Sequence, residues 1–145
     1  MIKILCIGKI KEKYLNDLIN DYLTRLKKYT KIEIVELKDN PIHKEEIESI
    51  LNVIDKKDFN IALDLKGKKL ASFEFASLIE KTLIYNSNIT FIIGPSLGLN
   101  DDIINQCDYV LSFSDLTFPH GLFRGILLEQ IYRCFKIINN ESYHK

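Results

Sequence analysis

The spacing of apolar residues predicts five strands and five helices that alternate along the chain. Short β-branched runs predict strands at residues 2–7, 31–37, 60–65, 89–93 and 109–113. Between them, apolar residues that recur three and four positions apart predict amphipathic helices. These helices fall at residues 11–29, within 41–54, and at 72–83, 100–104 and 121–138, with Ser72 and Asn100 as the predicted N-caps of the third and the fourth.

This order predicts an α/β fold with a mostly parallel sheet and helices on both faces. The fourth strand is an almost unbroken apolar run, so we expect it to be central and covered on both sides. Ligands of such sheets bind beyond the carboxyl ends of the strands. The loops after Gly8, Leu65, Ile93 and Phe113 are therefore the candidate site.

Length and composition predict one domain, residues 1–145, with one compact core, since 46% of the 145 residues are hydrophobic. No apolar run is long enough to span a bilayer, and the amino terminus lacks a signal-peptide pattern. Three scattered cysteines, Cys6, Cys107 and Cys134, favour buried reduced thiols in a cytoplasmic protein. Their spacing predicts neither a disulfide framework nor a metal site.

The charges cancel overall, with 20 basic and 20 acidic residues, which excludes a generally basic nucleic-acid binder. They are nevertheless unevenly distributed. Residues 1–31 hold 8 basic and 3 acidic side chains, residues 32–119 hold 8 and 15, and residues 120–145 hold 4 and 2. If the two basic ends converge, one face could meet a polyanion; otherwise the pattern is ordinary surface variation.

Two loops carry the candidate chemistry. The loop after the first strand has one glycine and matches no dinucleotide or P-loop pattern. The loop that contains Gly94 and Gly98 is apolar and uncharged, which suits a flat neutral ring such as adenine, or else serves only as a turn. The next loop holds Ser114, Asp115 and His120, but their crowding into seven residues disfavours a hydrolytic triad.

The last helix and the tail offer polar groups with two alternative roles. Arg124 and Arg133 are nine residues apart and so lie on opposite helix faces. Arg133 is suited either to RNA or to a salt bridge with Glu129, four residues earlier. The terminal Tyr143, His144 and Lys145 could stack on and hold a base, although short polar tails are usually frayed.

Taken together, these motifs resemble those of a known enzyme family. They are the segments 93–99 (IGPSLGL), 111–120 (LSFSDLTFPH), 129–133 (EQIYR) and 143–145 (YHK), with 4–9 (ILCIGK) and 63–67 (LDLKG) earlier in the chain. In this order they resemble the ribosomal RNA large subunit methyltransferase H family. Its members are small SPOUT-class enzymes that methylate N3 of a pseudouridine in 23S rRNA, and the likeness covers the whole chain.

The resemblance implies a C-terminal trefoil knot, a homodimer and S-adenosylmethionine as the methyl donor. Cofactor-binding residues carried over by position are Leu63, Gly94, Phe113, Ser114, Asp115, Leu116, Thr117 and Phe118. The family has two consecutive glycines where this chain has Gly94 and Pro95, and proline removes one backbone amide.

For catalysis, we hypothesise that His120, Arg124, Tyr143 and His144 approach the target base, with the tail supplied by the other subunit. Arg124 or Arg133 would grip an RNA phosphate or stabilise the anion that develops on the base. Arg133 and Lys145 are the expected RNA contacts, and no metal is required. The substrate is expected to be 23S rRNA in the assembled ribosome. Two alternatives stay open: a SPOUT enzyme that acts on tRNA, and a non-enzymatic α/β nucleotide-binding module.

Overall fold

A computed structural model describes all 145 residues, which form five strands and five helices in alternation. The strands are β1 (Ile2–Ile7), β2 (Ile32–Leu37), β3 (Phe59–Lys69), β4 (Ile89–Ile93) and β5 (Tyr109–Ser112). The helices are α1 (Lys13–Leu26), α2 (His43–Val53), α3 (Ser72–Tyr85), α4 (Asp101–Asn105) and α5 (His120–Ile138). The predicted order of elements is confirmed, and most ends agree within three residues.

The strands form one sheet in the order β2-β1-β4-β3-β5, and every neighbouring pair is parallel. The predicted α/β fold with a parallel sheet is therefore confirmed. β4 lies at the centre with all five residues buried, as its apolar run predicted. The carboxyl ends of β1, β4, β3 and β5 consequently meet along one edge of the sheet.

Helices cover both faces of the sheet. On one face, α5 packs between α1 and α3 over the larger apolar cluster, to which β1 contributes Ile4 and Cys6. On the other face, α2 and α4 cover a smaller cluster that includes Leu5 and Ile7 of the same strand. The period of two along a strand explains this division. Both faces of β1 are thus buried, which fixes its register.

β3 differs from its prediction at the carboxyl end. We expected the strand to stop at Leu65 and a turn to follow, but it continues to Lys69 after a register shift between Leu63 and Lys68. Gly67 lies in this irregular part, where a Cβ atom would stand 2.6 Å from the carbonyl carbon of Leu111. Only glycine permits β3 to approach β5 this closely. The shift turns residues 64–66 outward at the edge where ligands bind.

The start of α3 also differs by one residue from its prediction. Ser72 is the first helical residue, not the N-cap, which is Ala71. The Glu74 carboxylate accepts a hydrogen bond from the Ala71 backbone nitrogen at 2.8 Å. At α4 the predicted cap is confirmed, since the Asn100 side chain accepts from the Ile103 nitrogen at 3.1 Å.

The segment before α5 crosses the sheet. β5 is an edge strand, yet the first residue of α5, His120, has Nε2 only 3.2 Å from the Ile7 carbonyl oxygen of β1. Residues 113–119 therefore pass along the carboxyl ends of β3 and β4. The trefoil knot in this region stays a prediction. None of the five helices combines the length and apolar character needed to cross a membrane.

Candidate active site

A cleft of about 700 Å³ lies at the carboxyl ends of β3, β4 and β5, the edge selected from the sequence. Half of its 20 lining residues are hydrophobic, and they come from four segments of the chain. These are residues 63–66, residues 93–99, residues 111–118 except Asp115, and the pair His120 and Phe123. The volume and the mixed lining are typical of a small-molecule site.

Hydrogen bonds and aromatic contacts hold the long loop of the cleft. The Ser114 hydroxyl accepts from the Leu116 nitrogen at 3.0 Å, while the Ser112 hydroxyl donates to the Ser114 carbonyl at 3.2 Å. Phe123 of α5 lies against two loop rings, with centroids 5.1 Å from Phe113 and 5.9 Å from Phe118. The loop shape is therefore fixed by its own side chains and by α5. No hydrogen bond joins Ser114 to His120, so no hydrolytic triad is formed.

The opposite wall is the glycine-containing loop after β4. Gly98 has a φ of 85°, and its nitrogen donates to the Pro95 carbonyl at 2.7 Å to close a turn. At Gly94, a Cβ atom would lie 2.9 Å from the Leu99 side chain. Gly94 is thus required by the packing of its own loop. Pro95 lines the cleft but supplies no N–H, as its sequence position implied.

His120 stands at the cleft wall at the start of α5. Its Nε2 lies 3.2 Å from the Ile7 carbonyl oxygen and 3.4 Å from Nη2 of Arg124. Burial, and after it the neighbouring Arg124 charge, lower the pKa of His120 below its ordinary value of 6.5. The ring is therefore neutral at physiological pH and is able to accept a proton.

Arg124 lies deeper than the sequence suggested. Only 2% of it is exposed, and its guanidinium donates to Glu36 at 2.7 Å and to the Gly8 carbonyl at 3.2 Å. The expectation that Arg124 grips an RNA phosphate does not fit this burial. Arg124 does not line the cleft itself but contacts His120, which does. Glu36 was missed by the sequence analysis, because nothing in the pattern of β2 distinguishes it from other strand carboxylates.

The predicted tail residues lie together, away from the cleft of their own chain. The Tyr143 hydroxyl donates to Glu129 at 3.0 Å, and its ring packs edge-on against Tyr132 at 4.9 Å. Arg133 bonds to the same Glu129, as its alternative interpretation predicted, and its Nη1 lies 3.0 Å from Nδ1 of His144. The tail is therefore anchored on α5 rather than frayed.

Tyr143 holds the tail on α5 and stays uncharged while doing so. Burial, followed by hydrogen bonds with Tyr22 and Glu129, raises the pKa of Tyr143 above its ordinary value of 10. The hydroxyl therefore stays protonated at all physiological pH values. His144 packs edge-on against the exposed Phe73 ring at 5.0 Å, and Lys145 is exposed at the end of the chain.

The structure thus brings most predicted cofactor residues to one place. Seven of the eight line the cleft: Leu63, Gly94, Phe113, Ser114, Leu116, Thr117 and Phe118. Asp115 is the exception, because its carboxylate pairs with Lys69 outside the cleft. Sequence analysis did not single out Asp64 and Lys66, which line the cleft because β3 shifts register there.

Comparison with known proteins identifies the class. The family model described as "Predicted SPOUT methyltransferase" matches residues 1–144. A probable methylase family protein from Haemophilus influenzae Rd KW20 has the same fold, with a TM-score of 0.60 and 16% identity over 96% of this chain and 66% of that one. The chain belongs to the SPOUT methyltransferases. Membership of this enzyme class overturns the alternative of a non-enzymatic module.

Closer relatives identify the family within that class. A Clostridium perfringens SM101 protein named ribosomal RNA large subunit methyltransferase H 1 is 47% identical, over 99% of both chains. A Clostridium botulinum Loch Maree protein named ribosomal RNA large subunit methyltransferase H is 48% identical, with the same coverage. The chain belongs to the ribosomal RNA large subunit methyltransferase H family, which confirms the resemblance found in its motifs.

Proposed function

We propose that this protein transfers a methyl group from S-adenosylmethionine to N3 of a pseudouridine in 23S rRNA, on the assembled ribosome in the cytoplasm. The observation that carries the proposal is the full-length identity of 47–48% to proteins named ribosomal RNA large subunit methyltransferase H. The position of the cleft at the carboxyl edge of the sheet supports it. The lining of the cleft and the position of the tail support an assignment of groups to the methyl donor and to the RNA.

The cleft fits the methyl donor by its chemistry. Leu97, Leu111 and Phe113 offer an apolar wall for the adenine ring, while the polar edges of residues 112–117 can meet the ribose and the amino-acid part. Apart from Asp64 and Lys66, the lining residues carry no formal charge, which suits a ligand without phosphates. When bound, S-adenosylmethionine supplies an electrophilic methyl group. His120 at the end of the cleft marks the side from which the base would approach.

The position of the tail supports a homodimer. No residue from 139–145 lines the cleft of the same chain, because Tyr143 is fixed to Glu129 on α5. His144 and Lys145 can therefore serve the cleft of a second subunit, as the family resemblance implies. Arg133 lies beside His144, with a quarter of its side chain exposed, and adds positive charge to the same surface. An active site composed from two chains would follow.

The chemistry requires that the N3 proton of pseudouridine be removed and that the nitrogen be held in line with the methyl group. The neutral His120 ring is positioned to accept a proton. Tyr143 is not, since its raised pKa keeps the hydroxyl protonated. We therefore assign Tyr143 to anchoring the tail and leave the contact with the base to His144 and Lys145.

Methyl transfer with tritiated S-adenosylmethionine tests the proposal. The acceptors would be ribosomes and free 23S rRNA from cells that lack the protein, and total tRNA. We expect label in the 23S rRNA of ribosomes, at N3 of a pseudouridine. Ribosomes from cells that contain the protein are the matched control and should accept little. Label in tRNA alone, or in no RNA although the methyl donor binds, would contradict the proposal.

A further inference from the structure

The most deeply buried charge in the chain lies next to the candidate active site. Arg124 is 2% exposed, and its only carboxylate partner is Glu36 of β2, whose side chain is 35% exposed. Taking a guanidinium out of water costs several kcal/mol unless its donors are paired. Here Nε has no partner at all. An incompletely satisfied buried arginine is an expensive way to stabilise a helix, which points to a role beyond packing.

Its remaining donors are directed to one point at the end of β1. Nη2 of Arg124 lies 3.2 Å from the Gly8 carbonyl oxygen and 3.4 Å from that of Ile7. The same Nη2 is 3.4 Å from Nε2 of His120, one helical turn earlier on α5. The guanidinium therefore joins β2, the end of β1 and the first turn of α5. It fixes the place where His120 enters the cleft.

The neighbours of Nε2 restrict the protonation of the His120 ring. A guanidinium only donates, and a carbonyl only accepts. Nε2 faces both, so it either carries a hydrogen for Ile7 at 3.2 Å or accepts one from Arg124 at 3.4 Å. The shorter contact favours the hydrogen on Nε2. In that tautomer Nδ1 holds the lone pair, and Nδ1 has no partner within the chain.

We infer that Arg124 is a positioning residue. Together with Glu36 it fixes the carbonyls at the end of β1, and there the Ile7 carbonyl accepts from Nε2–H of His120, which leaves Nδ1 free to accept the substrate proton. The inference rests on the proposed function for the identity of that proton. In the step, the N3 proton of the base passes to Nδ1. The electron pair of the N3–H bond stays on the nitrogen, which forms the new bond to carbon as the carbon–sulfur bond breaks and its pair remains on sulfur.

The charges around the ring determine how it titrates. Arg124 opposes protonation of the ring, while Glu46 of α2 favours it. Glu36 reaches the ring through Arg124, whose positive charge it offsets. Cys6 of β1 also lies near this pair, but burial raises the pKa of its thiol to about 11, so it stays uncharged. Removing Glu36 or Arg124 should therefore move the titration of His120 in opposite directions.

The experiment measures the titration of His120 directly, by NMR of the ring Cε1–H in the full-length protein. The other two histidines, His43 and His144, serve as internal references in the same spectra. We expect Glu36→Gln to lower the midpoint of His120 by about 0.5 pH unit or more, and Arg124→Gln to raise it by a similar amount. Arg124→Lys keeps the charge and should leave the midpoint near that of the wild type.

The matched control is Glu33→Gln, which removes an exposed carboxylate from the same strand and should move nothing. The pH profile of methyl transfer gives the second readout. Its acidic limb should shift with the NMR midpoint in Glu36→Gln and should stay at the wild-type position in Arg124→Lys, even where the maximal rate falls. If Arg124→Gln does not fold, Glu36→Gln and Glu46→Gln test the charge argument instead, and both are expected to lower the midpoint.

Two outcomes would overturn the inference. One is a His120 midpoint that does not change in Glu36→Gln. The other is an acidic limb of the rate profile that does not shift when the NMR midpoint of His120 shifts. Failure of the proposed function gives a different pattern, because the NMR shifts would then appear as expected while no RNA accepts a methyl group. The two hypotheses are therefore tested separately.

Discussion

At the amino ends of the strands the buried Asp58 carboxylate is surrounded by hydrogen-bond donors, whereas at the carboxyl ends the loops leave an open cleft. Asp58 accepts from Lys3 at 3.2 Å and from Asn88 and Thr90 at 3.0 Å, and so joins the starts of β1, β3 and β4. At the other end, Leu65, Leu97 and Leu116 are 50%, 77% and 73% exposed. Polar groups are paired at one end, and apolar groups lack partners at the other.

This contrast separates stability from function along the strands. A paired, buried carboxylate stabilises the fold and offers no group for a ligand. Exposed apolar side chains around a cleft do the reverse, since their burial is left to a ligand or a partner. We therefore expect substitutions at the amino ends to change the free energy of unfolding, and most substitutions at the carboxyl ends to change binding or catalysis. Gly67 is the position where this separation should fail.

Gly67→Val should have the largest effect, although Gly67 lies at the carboxyl end. A Cβ atom there would stand 2.6 Å from the carbonyl carbon of Leu111 and 2.8 Å from two backbone nitrogens of β5. β3 and β5 would have to separate, at a cost of about 4 kcal/mol or more in unfolding free energy. Urea denaturation measures this loss of unfolding free energy. Gly98→Ala is the control. A Cβ atom at Gly98 would face open space, so only the positive φ opposes a side chain there, and we expect a loss of about 1 kcal/mol of unfolding free energy. Equal losses would contradict the steric argument.

Asp58→Ala should have the next largest effect, at the amino ends. It leaves Lys3, Asn88 and Thr90 without their shared acceptor, which should cost about 3 kcal/mol of unfolding free energy. Asp17→Ala removes a carboxylate from an exposed ion pair with Lys13 and should cost about 0.5 kcal/mol. Calorimetry with S-adenosylmethionine on the folded fraction of Asp58→Ala should give the wild-type affinity. A weakened affinity would break the separation of the two ends.

The sequence predicted the elements and the edge of the site well, because both follow from local periodicity. The apolar run of β4 could only be buried on both faces, and parallel strands place their carboxyl ends together. The extension of β3 to Lys69 could not be predicted in the same way. It depends on how closely Gly67 approaches Leu111, a contact between residues 44 positions apart along the chain.

Side-chain direction was likewise beyond the sequence. Motif position assigned Asp115 to the cofactor, yet its carboxylate turns to Lys69, which also comes from the extended part of β3. Arg124 and Arg133 were correctly placed on opposite faces of α5 by their spacing. Which of the two would be buried depended on Glu36, which stands 88 residues earlier and pairs with Arg124. Long-range pairs of this kind leave no mark on the local pattern.

Deletion of residues 144–145 sharpens the comparison by adding a third region. The deletion spares Tyr143, whose contacts with Glu129 and Tyr132 hold the tail on α5. Stability and S-adenosylmethionine affinity should therefore stay unchanged, while methyl transfer to ribosomes should fall about 100-fold if these residues orient the base. Deletion of residues 143–145 is the comparison, and it should lower stability as well. Full activity of the shorter deletion would contradict the role given to His144 and Lys145.

The pH dependence of stability should also report on the amino ends. Burial by itself would raise the pKa of Asp58, but hydrogen bonds from Asn88, Lys3 and Thr90 outweigh it and hold the pKa below the ordinary value of 3.8. A carboxyl whose pKa is depressed by folding stabilises the protein above its unfolded pKa and loses that contribution as the pH falls through the folded value. Wild type should therefore lose stability below about pH 4 more steeply than Asp58→Asn. Parallel curves from urea denaturation at each pH would contradict this.

The smallest expected effect compares one hydroxyl at each end of the sheet. Ser114→Ala removes the acceptor of the Leu116 nitrogen in the cleft loop, and Thr90→Val removes a donor to Asp58. Each hydrogen bond contributes about 1 kcal/mol, so the two losses should be similar in size but should affect different properties, ligand binding in one variant and stability in the other. Ser114→Ala should weaken S-adenosylmethionine binding roughly five-fold by calorimetry with little change in melting temperature, because a loosened loop must be ordered by the ligand. Thr90→Val should lower the melting temperature and leave the affinity unchanged. The Asp115 side chain is turned away from the cleft, so Asp115→Ala should change neither the affinity nor the melting temperature by much. A large loss of affinity in this variant would show that the loop rearranges when the methyl donor binds.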